Sequence, residues 1–260
     1  MNAAYPFTPY CGWPPLPNTL LGRWNFDPAL LAALAAALIV YVVFDWRSRA
    51  RLCVSSAASP FFYAGFAVGA LALISPLCAL SVSLFSARVG QHLVLTTLAA
   101  PLIALGWPRL QRTMARVPLL AAVGFALALW VWHSPRPYAA TFSSDLAYWL
   151  MHITTIGAAI AFWSAVIGAS HARLGVSIVA VLATSLQMAL LGAVITFAPR
   201  ALYTPHLLTA SVWGMTPLQD QQLGGVLMWA PAGLIFALAI VTSLGRLLRR
   251  EAAPYGVAPA

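Results

Sequence analysis

Apolar and polar positions separate along this chain into long blocks rather than short periods. Nearly uninterrupted apolar runs occupy roughly 29–45, 61–81, 89–106, 118–133, 146–167, 175–197 and 223–245. Each is near the ~20 residues that a helix needs to cross a bilayer. The breaks between them carry turn chemistry: Ser59-Pro60, Gly106-Trp107-Pro108, Ser134-Pro135-Arg136-Pro137 and Ala198-Pro199. Ser143-Ser144-Asp145 offers capping side chains ahead of the fifth run, and Pro118 suits the first turn of the fourth. Pro101 lies inside the third run and predicts a kink, which membrane helices tolerate where a neighbour satisfies the freed carbonyl. The pattern predicts an all-α, polytopic membrane protein. Its transmembrane domain is a bundle of seven helices over 29–247, between an external tail, 1–28, and a cytoplasmic tail, 248–260.

Composition makes lipid the solvent. The chain is 62% hydrophobic and only 7% charged, against about 25% charged for an ordinary soluble domain. The net charge of +9 does not point to nucleic acid, because all 14 basic residues are Arg and sit mainly in short loops. Ten of them (Arg47, Arg49, Arg51, Arg109, Arg112, Arg116, Arg173, Arg246, Arg249, Arg250) fall on one side of the predicted bundle. Four (Arg23, Arg88, Arg136, Arg200) fall on the other. That asymmetry places the C-terminus inside and the N-terminus outside. Residues 1–28 lack a basic stretch followed by an apolar core, so no cleavable signal peptide is expected and the first span serves as the membrane address. Five carboxylates, no phosphate-binding loop and no nucleophile–base pair argue against an enzyme. No inverted repeat suggests a transporter.

The candidate chemistry gathers on the outer side. His92, His133 and His152 fall at similar depth on three consecutive predicted spans, His206 lies in an outer loop, and His171 lies on the cytoplasmic side beside Arg173. Polar residues at membrane depth usually face the bundle interior and serve a function. Neutral imidazole is the commonest protein metal ligand, and nitrogen-rich sites suit copper, zinc or iron. The plain alternative for each histidine is a hydrogen bond to a carbonyl or an anchor at the interface. Arg88 lies one turn before His92 on the same face, as an electrostatic neighbour or a headgroup anchor. Asp145, Tyr148 and His152 share a helical face, so the carboxylate either orients the imidazole or simply caps the helix. Cys78 and Cys11 reach the outer side, as soft ligands for Cu(I), as a disulfide in an oxidising compartment, or as a buried small side chain and an incidental thiol. Cys53 lies on the cytoplasmic side. Gln187 is expected to bond across helices and Met188 to pack. Asp220 in a helix first turn, followed by Gly224-Gly225, reads as a docking helix with a close helix contact.

Three blocks together resemble one family. They are Leu84 through Gln91-His92 to Ala100-Pro101-Leu102, then Trp132-His133-Ser134-Pro135 through Tyr138 to His152 and Phe162-Trp163, and Asp220-Gln221-Gln222-Leu223-Gly224-Gly225 with Met228-Trp229. The chain is similar over roughly 25–250 to the polytopic CtaG family of cytochrome c oxidase assembly factors. The resemblance implies a seven-helix protein of the bacterial inner membrane that helps mature the copper-containing part of a terminal oxidase. Cytochrome c oxidase subunits, and periplasmic copper chaperones, are then the expected partners. The matched positions are Gln91, His92, Trp132, His133, His152, Asp220, Gln221 and Gln222. The family pattern also carries a His where Arg88 stands, and a His and then a Glu near Tyr148 and Met151, so three further donors of a family-style metal site are missing. With the histidine trio, the resemblance implies a factor that handles copper transiently through His92, His133 and His152, with Cys78 or a methionine as a soft donor. The alternatives are a metal-free scaffold for oxidase subunits, and a b-type haem or quinone-linked protein using His92 and His152 as axial ligands.

Overall fold

A computed structural model describes residues 8–52 and 59–252. The side chains of 48–52, His171 and 249–252 lie outside the description, as does Cys53. Among the described residues there is no strand. The chain forms α1 (Pro28–Leu52), α2 (Ser59–Ile74), α3 (Pro76–Ser83), α4 (Phe85–Leu105), α5 (Pro108–Met114), α6 (Pro118–Trp132), α7 (Pro135–Ala140), α8 (Asp145–Ile167), α9 (Leu174–Thr196) and α10 (Pro217–Ala252).

Five of these helices contain a stretch long and apolar enough to cross a bilayer: Pro28–Arg47, Phe85–Leu105, Asp145–Ile167, Leu174–Thr196 and Pro217–Leu248. The chain is thus a multi-pass membrane protein. Two more spans follow if each bent pair counts as one. α2 and α3 meet at 51°, and α5 and α6 at 99°. The uniform apolar run predicted at 61–81 is therefore broken. Pro76 has no N–H to continue α2 and instead starts α3, with Ser75 extended ahead of it. α6 has 15 residues, a rise of about 22 Å against the ~30 Å hydrocarbon core. Its neighbour α5 lies nearly across it.

α4 is the centre of the bundle. Of its apolar stretch 61% is buried, against 11% for α1, and it packs on α2, α3, α8 and α10. Its middle, Val94–Ala99, winds as a π-helix. The kink predicted at Pro101 takes this form, and the cause is local. In a π turn the carbonyl of Thr96 looks for the N–H five residues on, which Pro101 lacks. The indole of Trp163 on α8 donates to that carbonyl instead, at 2.8 Å.

α9 and α10 form the most extensive helix pair. They touch through backbone: a Cβ on Gly225 would lie 2.7 Å from the Gly192 carbonyl oxygen, and one on Gly192 would lie 2.8 Å from that of Gly225. The predicted close contact at the glycine pair is present, and small residues at such crossings are what let helices associate in lipid. The N-terminal segment is docked rather than loose. A disulfide joins Cys11 to Cys78 on α3, with the Cα atoms 5.6 Å apart, and the amide of Asn25 donates to the Ile74 carbonyl at 2.7 Å.

Candidate functional site

Each of the three histidines is placed by its own helix. His152 lies two turns into α8, and its Nδ1 bonds the Tyr148 carbonyl one turn back, at 3.1 Å. His133 ends α6, where its Nδ1 bonds the Leu129 carbonyl at 2.8 Å. A carbonyl only accepts, so both rings carry their proton on Nδ1 and turn the lone pair of Nε2 away from the backbone. His92, in α4, is different: neither ring nitrogen has a partner. The Nε2 of His152 has none either. All three rings are buried. Because α4 packs on α8 and α8 on α6, the rings converge. The His92 centroid lies 5.3 Å from that of His152 and 5.9 Å from that of His133, both edge-to-face.

Around this cluster the polar groups are held by the loops at the same end of the bundle. The hydroxyl of Tyr203 donates to the His133 carbonyl at 2.8 Å, while its ring stacks on Phe85 at 3.9 Å. His206 bonds the Tyr138 hydroxyl at 2.7 Å. Burial, and then the charge of Arg88, push its pKa down to about 3, so it stays neutral at physiological pH. Arg88 is itself buried. Its guanidinium donates to the Thr141 hydroxyl at 2.9 Å and lies over the rings of Phe142, Tyr138 and Tyr148 at 4.4, 5.5 and 5.7 Å. The Tyr148 ring leans over His152 at 4.3 Å, and its hydroxyl meets the disulfide sulfurs at 3.3 and 3.6 Å. Cys78 is thus paired with Cys11 and, in this oxidation state, offers no thiolate to a metal.

Other candidates act as internal crosslinks. Gln91 donates to the Ala72 carbonyl at 2.8 Å and ties α4 to α2. Asp145 is exposed at the start of α8. The group that orients His152 is the Tyr148 carbonyl, so the shared face does not bring the carboxylate to the ring. Asp220 is fully buried, although a docking surface was expected there. Its carboxylate accepts from the amides of Phe85 and Ser86 at 2.7 and 3.0 Å and from the Ser86 hydroxyl, capping the start of α4 from across the bundle. Gln221 accepts from the Leu202 amide at 2.6 Å and donates to the Ile195 carbonyl at 3.0 Å, closing the end of α9. Only Gln222 of this trio is partly exposed. Trp132 donates to Thr154 at 2.8 Å beside an open apolar groove between α6 and α8. Gln187 bonds across helices as expected, accepting from the Trp130 indole at 2.9 Å.

The family model for the cytochrome c oxidase caa3 assembly factor, Caa3_CtaG, matches residues 39–250. The chain belongs to that family. Comparison with curated proteins and with solved structures found no match. The Caa3_CtaG match takes in all of the cluster and its supports except the docked N-terminal segment. At the three positions where the family pattern suggested further donors, this Caa3_CtaG protein has Arg88 on its aromatic cage, Tyr148 against the disulfide, and Met151 fully buried.

The arrangement can offer neutral nitrogen donors to a small guest. With a metal–nitrogen bond of about 2.0 Å, two imidazoles on one ion hold their centroids roughly 5–6 Å apart, and both observed separations lie in that range. Among the described residues, however, no three of His, Cys, Asp and Glu are arranged to hold a metal ion. The cavity beside His92 and His133 measures about 10 Å³, room for about one water. No haem fits there, and the 5.3 Å between the His92 and His152 centroids leaves no slot for a macrocycle. The sequence pointed to the three histidines and Tyr148. It missed Tyr203, which positions His133 through the chain's backbone, 70 residues away.

Proposed function

We propose that this protein is a seven-span factor of the bacterial inner membrane, N-terminus outside and C-terminus in the cytoplasm. It assists maturation of a copper centre of cytochrome c oxidase from the periplasmic face. In this reading His92, His133 and His152 receive copper transiently, from a periplasmic chaperone, before it reaches an oxidase subunit. The copper is cargo, not a resident cofactor. The supporting observation is that both ring nitrogens of His92 and the Nε2 of His152 are buried without a partner, an arrangement that costs about 1–3 kcal/mol per group. A chain that carries such a cost without using the nitrogens has no reason to keep imidazole there. The test is a His92→Ala, His133→Ala, His152→Ala variant expressed in place of the native chain. Oxidase purified from those cells is expected to be deficient in copper by metal analysis; full copper occupancy would end this reading.

One observation favours a second reading, a metal-free holder of oxidase subunits: the absence of a three-ligand His, Cys, Asp or Glu group among the described residues. In that case the triple variant still co-purifies with the oxidase subunit, and the oxidase retains its copper.

A further inference from the structure

The His trio does not share one cavity. The small cavity beside it is lined by His92 and His133 but not His152, and the other lining residues able to offer a soft donor are two buried methionines, Met188 of α9 and Met228 of α10. Of the remaining wall, Thr96 has committed its hydroxyl to the His92 carbonyl at 2.7 Å, and the rest is apolar. Two histidines and two methionines thus line a space of about 10 Å³. The donors come from four helices.

We infer that this cavity is a binding site for a single soft monovalent ion, Cu(I), with His92, His133, Met188 and Met228 as its donor set. The inference rests on the copper-handling reading and changes its ligands: two methionines enter, and His152 leaves. Three observations carry it. Thioether sulfur selects Cu(I) over zinc, iron and the harder cations. All four donors are neutral and no carboxylate lines the wall, so a divalent ion would enter with its charge wholly uncompensated. The burial cost grows steeply with charge, and a monovalent ion bears the least of it. Neither ring nitrogen of His92 has a partner, so whichever one carries the in-plane lone pair of the neutral ring has nothing else to bind. His152 lies outside this wall, edge-to-face with His92 and under the ring of Tyr148, whose hydroxyl meets the disulfide.

The test uses the full chain, purified in detergent in chloride-free buffer with Cys53→Ser. Ag(I) is the probe, because it matches Cu(I) in electron count and needs no reductant that would open the Cys11–Cys78 disulfide. One Ag(I) per chain is expected. In protein labelled at the methionine methyls, two of the six resonances are expected to shift on addition. Met188→Leu with Met228→Leu, a swap that conserves volume, is expected to weaken Ag(I) binding at least tenfold. If Ag(I) binds, the methyls stay still, and only the His trio variant loses binding, the thioether site is wrong while the histidine reading stands. If the chain binds no Ag(I), the cavity holds water only, and both the inference and the copper-handling reading fall.

Discussion

At the scale of single residues, the chain places its polar groups where the backbone most needs them. Asp220 shows this best. The amides of Phe85 and Ser86 open α4 with no partner in their own helix, and the local N-cap residue, Leu84, has no side chain able to serve. The carboxylate that serves them comes from a residue 135 positions away. Asp220→Ala leaves both amides buried and unpaired, and is expected to cost about 1–3 kcal/mol. The midpoint of thermal unfolding in detergent should fall accordingly, while Asp220→Asn, which keeps one acceptor oxygen, should fall less. A midpoint unmoved by the alanine would mean that water replaces the cap. This residue also marks the limit of reading the site from sequence. His92, His133 and His152 were legible because each sits at a set depth on its own apolar run, and neighbouring runs must pack. Asp220 read as part of a docking helix because it stands in a polar helix start after an external turn, where a carboxylate normally serves its own helix. Nothing in the sequence says that it reaches the start of another.

Among the helices, the informative feature is how closely two backbones are allowed to approach. Lipid provides no hydrophobic drive for helices to associate, so α9 and α10 depend on packing that only small residues permit. Gly192 and Gly225 face each other backbone to backbone, whereas a Cβ on Gly233, two turns further along α10, would meet nothing within 4 Å. Gly225→Val is expected to force α10 off α9 at a cost of about 1–3 kcal/mol, and Gly233→Ala to be neutral or slightly stabilising. Thermal unfolding of the two variants side by side checks this. Equal midpoints would show that the glycines are incidental. The Gly-Gly pair was visible in the sequence as a close contact. So was the short α6, whose run at 118–133 is the shortest of the seven. The break at Ser75-Pro76 and the near-perpendicular turn from α5 into α6 were not, because a continuous apolar run reports hydrophobicity and not direction. The π segment was foreshadowed only as a bend at Pro101. Its actual form depends on Trp163, which sits on a different helix.

For the molecule as a whole, two arguments of different origin point to the same orientation. In the proposed orientation the end with ten Arg, against four at the other, faces the cytoplasm. Independently, the other end carries the Cys11–Cys78 disulfide, and such bonds persist where thiols are not kept reduced. The same end holds the His cluster, roofed by Tyr148 against the disulfide. Orientation therefore decides which compartment the candidate site faces. The three cysteines provide the measurement, since the sequence pattern assigns Cys53 to the Arg-rich side and the paired cysteines to the other. In spheroplasts, a membrane-impermeant maleimide is expected to leave the untreated protein unlabelled and, after brief reduction followed by denaturation of the outer-face segments with the membrane intact, to add label at Cys11 and Cys78, which are buried in the folded protein. Labelling of Cys53 is expected only once the membrane is permeabilised. A Cys11→Ser, Cys78→Ser variant isolates that third signal. Labelling of Cys53 from outside would invert the bundle, and an inverted bundle opens the histidines toward the cytoplasm, where periplasmic delivery of copper has no route to them.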